Sequence, residues 1–234
     1  KALCYPLTLT QSELEKILLG LRDKNNLENA YYRITVTRGK GQVGFQRSID
    51  SDLTCLIIAK EFQRFDESCY RDGIAMQVAH TRRNAPEAIN PQIKSISNLN
   101  SLLGKLEARA AGVFEVIMLN NKNQICEGAS SNIFWTRDNW VFTPDGSTGL
   151  LEGVTRSTIM RLCEDEMNLR VIPGEYHLQD LKFSDEVFIT STSLEVMPVV
   201  TVDDFTINQG VVGPISQQLR AELHRDMGRH AGGS

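Results

Sequence analysis

Residues 82–92 carry Pro86 and Pro91 and show neither helical nor strand periodicity, whereas apolar residues recur at regular spacing on both sides of them. A proline lacks the backbone N–H and restricts its predecessor to extended conformations, so no helix or central strand is expected to run through such a stretch. The chain is therefore expected to fold as two units, a small α/β (α+β) unit over 1–81 and a larger one over 93–234, with 82–92 as the linker.

In the first unit Thr10 and Glu13 make a capping box, and Leu14, Ile17, Leu18 and Leu21 follow at helical spacing, which predicts a helix over 10–23. Alternating aromatic and β-branched residues predict a strand over 31–37, and the apolar stretches 53–59 and 74–79 read as two more. Beyond the linker, Leu99, Leu102, Leu103, Leu106 and Ala110 mark one face of an amphipathic helix closed by Gly112. Short strands are predicted over 113–119, 125–126, 132–135 and 140–143. A helix over 155–167 with Thr155 as its cap, strands over 187–190 and 196–202, and a helix from Ser216 complete the pattern.

Composition narrows the function classes. With 41% apolar residues in 234 the chain can fill a core, and its net charge of −4 is mixed along the sequence without a basic stripe, which argues against nucleic acid as a partner. No apolar run approaches the roughly 18 residues that span a bilayer, so no membrane partner is expected and the chain reads as soluble. Five cysteines without C-x-x-C spacing fit thiols in a reducing compartment, the cytoplasm. Four histidines without ligand spacing give no support to a metal site.

Four features could form one site: Lys94 just before a helix, Glu127 in a Gly/Ser-rich turn, the turn Gly153-Val154-Thr155 at a helix start, and the hydroxyl run Thr190-Ser191-Thr192-Ser193 after a strand. Free amides at a helix N-terminus suit an anion, and two such turns can grip one phosphate. On the residues alone each also reads as ordinary: a solvated lysine, a turn carboxylate, two capped turns.

The string IKSISNLNSLLGKLEARAAG (93–112) resembles the cofactor-lysine segment of fold-type IV pyridoxal-phosphate enzymes, the class IV aminotransferase and aminodeoxychorismate lyase group. EGASSNIFW (127–135), LLEGVTR (150–156) and DEVFITSTSLEVMPV (185–199) resemble three further blocks of that family, in family order. The resemblance implies a small N-terminal α/β domain, a larger C-terminal pseudo-barrel domain, pyridoxal 5'-phosphate as cofactor, and a homodimer. It also implies that about 50 residues of the family's N-terminal pattern, with one phosphate-binding arginine, are absent here.

By the same resemblance Lys94 forms the internal aldimine and shuttles the proton between substrate Cα and cofactor, for which its amine must be neutral. Glu127 faces the pyridine nitrogen and keeps it protonated. Val154, Thr155, Ser191 and Thr192 hold the phosphate, and Leu151 packs on the ring. Arg33, Arg38, Arg82 and Arg83 are candidates for binding substrate carboxylates. The implied activity is amino transfer between an amino acid and a 2-oxo acid. The segment AHTRRNA (79–85) lacks the tryptophan of branched-chain enzymes, and GKGQVGFQ (39–46) lacks the Arg and His of D-amino acid enzymes. RRNAPE (82–87) is similar to aminodeoxychorismate lyases, which release pyruvate and 4-aminobenzoate, so that reaction stands as the alternative. A catalytically silent fragment or binding module on the same fold is the reading from a different class.

Overall fold

The structure, a computed structural model, describes residue 3, residues 9–39 and residues 53–231. Helix α1 (Gln11–Lys24) starts where the sequence places it. The Thr10 hydroxyl accepts from the Glu13 N–H at 3.3 Å, and the Glu13 carboxylate accepts from the Thr10 N–H at 2.8 Å. Strands β1 (Ala30–Thr37) and β2 (Thr54–Glu61) pair antiparallel, with Ala30 opposite Glu61 and Thr37 opposite Thr54. These elements belong to a first compact unit, Lys1–Arg64. Of the segment 39–46, only Gly39 lies within the described residues.

The second unit, Phe65–Ser234, begins upstream of the linker placed at 82–92. It contains, in order, α2 (Glu67–Asp72), β3 (Ile74–Val78), α3 (Leu99–Ala111), β4 (Glu115–Leu119), β5 (Ile125–Gly128), β6 (Asn132–Arg137), β7 (Trp140–Pro144), α4 (Val154–Asp165), β8 (Arg170–Gly174), α5 (Leu178–Leu181), β9 (Glu186–Ser191), β10 (Glu195–Val202), β11 (Phe205–Thr206) and α6 (Pro214–Ala231). The sheet runs β5-β4-β3-β10-β9-β6-β7-β8, with β11 on β10. Because β3 lies parallel between β10 and β4, its ladder hydrogen bonds hold residues 74–78 in the second compact unit. The prolines of 82–92 instead punctuate a loop inside that unit. Short elements α2, α5, β8 and β11 carry too few periods to be predicted.

The sheet curls on itself. At one end the Ile125 N–H donates to the Tyr176 carbonyl at 2.7 Å and Gln124 bridges His177, so β5 meets the chain leaving β8. Alternate side chains then enter opposite cores. Ile133, Trp135, Val187, Ile189, Met197 and Val199 fill the concave side, while Phe134, Phe188 and Val196 pack beneath α4 and α6 with Ile159, Leu162 and Leu219. Burial on both faces explains why these strands read as unbroken apolar runs.

Helix α3 sits on the sheet through its small residues. Gly104 and Ala108 are buried, and a Cβ on Gly104 would lie 3.1 Å from Val116 and 3.2 Å from Ala129. The leucine stripe faces the other way, with Leu99 66%, Leu102 53%, Leu103 43% and Leu106 51% exposed. An apolar stripe ordinarily marks the core side of a helix; here the small residues take that side because they allow the closer approach.

At the start of α6 the buried Glu186 accepts from the amides of Ile215 at 2.7 Å and Ser216 at 2.9 Å, and Gly213 passes so close that a Cβ would overlap its carboxylate. Gly213→Ala is expected to lower the unfolding free energy by on the order of 2 kcal/mol through overpacking and loss of this cap. Urea denaturation measures it, and an unchanged midpoint would mean that the carboxylate moves aside freely.

Candidate active site

Strand β5 places Glu127 opposite Met118 of β4, with its side chain 6% exposed. One carboxylate oxygen meets the Arg83 guanidinium at 2.6 Å. The other accepts from the Leu151 N–H at 3.1 Å and the Asn132 amide at 3.3 Å. Burial pushes this carboxyl up to about 7, and Arg83 is the largest opposing influence. Arg83 is itself braced, donating to Asn100 at 3.2 Å and Ser101 at 3.0 Å on α3. A candidate for substrate binding is thus occupied in holding an acid of the site. The neighbouring Cys126 is pushed up to about 12, first by burial and then by the charge of Glu127, so it stays an inert thiol.

A cavity of about 520 Å³ opens on this pair. Lys94 lines it from the loop between β3 and α3, on the exposed side, and its charge reaches Glu127. Leu151, Val154, Thr155, Ser191 and Thr192 line the same cavity. All seven residues assigned to the cofactor from the sequence therefore share one enclosure, together with Arg83. Arg82 is not on the cavity wall; it is exposed and donates to Asn123 at 2.9 Å. Arg33, opposite Ile58 on β1, and Arg38 belong to the first compact unit.

The two anion-ready turns differ in construction. Helix α4 starts at Val154, with Gly153 and not Thr155 at its N-cap, and no side chain caps it, so its first amides face the cavity region unclaimed. Gly153 is required there, since a Cβ would strike the Asn132 amide oxygen at 2.5 Å. On the other side Thr190, at the end of β9, has a fully buried hydroxyl without a partner among the described residues, next to Ser191 and Thr192 on the wall. An orphaned buried donor beside open amides fits an anion. By contrast, Glu127 fits a cationic ring nitrogen and Lys94 an aldehyde carbon.

Asn132, Gln92 and Thr190 carried no individual role in the sequence. Asn132 donates to the Leu151 carbonyl at 2.8 Å as well as to Glu127. It stands within the EGASSNIFW block, which was the available signal. Among the described residues no helix is long and apolar enough to cross a membrane, and no His/Cys/Asp/Glu group could hold a metal ion.

The family model for class IV amino-transferases matches residues 1–202. The chain is 34% identical over 223 residues to a putative branched-chain-amino-acid aminotransferase of Methanocaldococcus jannaschii, covering 95% of this chain and 76% of that protein. It is 31% identical to the D-alanine aminotransferase of Bacillus licheniformis, covering 94% and 76%. A T.th. branched-chain amino acid aminotransferase solved with pyridoxamine 5'-phosphate superimposes with a TM-score of 0.86 at 26% identity, over 93% of this chain and 71% of that one.

Proposed function

This chain belongs to the class IV aminotransferases, and from that premise we propose that the cavity of the second unit is where its cofactor and substrate meet. It is a pyridoxal-phosphate-dependent enzyme of fold type IV that moves an amino group between an amino acid and a 2-oxo acid. When bound, pyridoxal phosphate supplies the electron sink for the pair left on the substrate Cα. The observation that carries the site assignment is the convergence of Lys94, Glu127 and two anion-ready turns on one enclosure.

In this reading Lys94 would hold the cofactor through its aldehyde carbon, and its amine, once freed by substrate, would take the proton from the substrate Cα and deliver it to that carbon, as amino transfer requires. The Glu127 carboxylate would hold a proton on the ring nitrogen. Arg83 is a positioning residue for it: the ion pair favours the anionic form that burial opposes. The amides of Val154 and Thr155, with the hydroxyls of Thr155, Thr190, Ser191 and Thr192, hold the phosphate. Leu151, on the cavity wall, would pack on the ring. Residues 1–64 form part of the smaller domain and 65–234 the larger, and the free thiols Cys69, Cys126 and Cys163 suit a cytoplasmic enzyme.

Relatives named for branched-chain and for D-amino acids resemble the chain to nearly the same degree, so their names do not choose its amino donor. A panel of L- and D-amino acids with 2-oxoglutarate, run on the whole protein, tests the reading. Oxo acid should accumulate only when an acceptor is present. Release of pyruvate from aminodeoxychorismate without any acceptor would overturn transfer in favour of the lyase reaction.

The exposed leucines of α3 support a homodimer as the working form, since a stripe of this size is rarely left to solvent. Replacing Leu102 and Leu106 by glutamate is expected to weaken self-association at least ~10-fold by placing charges in an apolar contact. Analytical ultracentrifugation reads the result. An unaltered dimer would place the contact elsewhere.

A further inference from the structure

We propose that Gln92 is a positioning residue that registers the Lys94 segment against the loop leading into α4, so that a phosphate held at the loop and an aldehyde offered to Lys94 are set at a fixed separation. The inference rests on the cofactor reading above. The Gln92 side-chain amide N–H donates to the Leu150 carbonyl at 3.0 Å, and its oxygen accepts from the Glu152 N–H at 3.1 Å. Exchanging the two ends of the amide would set donor against donor and acceptor against acceptor, so the pair of bonds fixes its orientation.

Between those anchor points lies Leu151, whose N–H goes to Glu127 at 3.1 Å and whose carbonyl accepts from Asn132 at 2.8 Å. Four consecutive polar backbone groups of 150–152 are thus held by side chains instead of by a neighbouring strand. Three separate segments supply those side chains, and of the three residues Gln92 alone stands on the segment that carries Lys94. The chain leading into Lys94 is kept in a turn over residues 90–93, because Asn90 accepts from the Gln92 N–H at 2.9 Å through its side chain and from the Ile93 N–H at 3.1 Å through its carbonyl. Gln92 is exposed and lies outside the apolar clusters, so its truncation removes registry without opening a core cavity.

The test compares pyridoxal phosphate with pyridoxal, which lacks the phosphate, as reagents for Lys94 in the wild-type chain, Gln92→Ala and Gln92→Glu. Adducts are reduced with borohydride and the rate at Lys94 is followed by peptide mass analysis. In the wild type the phosphorylated reagent should react much faster. In Gln92→Ala that preference should fall about tenfold, the equivalent of two ordinary hydrogen bonds, while the pyridoxal rate stays within about twofold. Gln92→Glu should lose the preference as well, since a carboxylate still accepts from Glu152 but confronts the Leu150 carbonyl without a donor. Amide exchange at Glu152 in cofactor-free protein should accelerate in Gln92→Ala, a readout independent of any activity. An undiminished preference in both variants overturns the proposal, as does an equal fall in both rates, which would mark a general structural role. If Gln92→Ala fails to fold, Gln92→Glu carries the comparison alone. Absence of any Lys94 adduct in the wild type would instead sink the cofactor reading, a distinct result.

Discussion

Lys94→Ala should lose transfer activity by ~10⁴-fold or more, about 5.5 kcal/mol of transition-state stabilisation, because one amine is asked both to hold the cofactor covalently and to move the Cα proton. The phosphate donors lie on other segments, at α4 and β9, so the variant should still retain pyridoxal phosphate, now without covalent attachment. Borohydride treatment should leave it unmodified at position 94 and the cofactor should wash out on denaturation. Activity within tenfold of wild type, or a reduced adduct on another lysine of an active protein, would refute the assignment of Lys94.

The second large effect is expected at Glu127. Glu127→Gln removes the anion that holds the ring-nitrogen proton, and should slow transfer by ~10²- to 10³-fold, the range for loss of one buried electrostatic contact to developing charge. The same residue gives cofactor-free protein a pH signature. Its folded carboxyl titrates at about 7, above the ordinary carboxylate range, because burial outweighs Arg83. The folded state therefore binds more protons than the unfolded chain between roughly pH 4.3 and 7. Stability from this group is complete below that window and is lost as pH rises through it, by up to about 4 kcal/mol. Denaturation of wild type and Glu127→Gln at pH 5 and pH 8 should give a steeper decline in the wild type. Parallel declines would show that the carboxyl titrates normally.

The residues that line the cavity sit in contiguous blocks of the sequence, and it was the resemblance of those blocks to a family, in family order, that grouped them. On spacing alone the lysine, the acid in EGASSNIFW and the hydroxyl run each read as ordinary surface and turn residues. Partnerships across the fold were not legible. Arg83 and Glu127 are 44 positions apart and meet only because β3 and β5 flank β4 in one sheet. The leucine stripe of α3 was visible, but not which side of the helix the sheet would take, since that choice follows from Gly104 and Ala108. The place of the strand at 74–78 was hidden for a similar reason: it pairs with a segment more than a hundred residues later, a register no local pattern encodes.

Seen from its two walls, the enclosure is unevenly built. Thr190 lies within a strand flanked on both sides by neighbours, β10 and β6, and so belongs to the framework. The polar backbone groups of the facing wall from the Leu150 carbonyl to the Glu152 N–H hang from side chains instead. Warming, or drift in sequence, should therefore slacken one jaw of the grip long before the other, and a lineage could alter how firmly it clasps the cofactor by changing the exposed Gln92 while the barrel stays untouched.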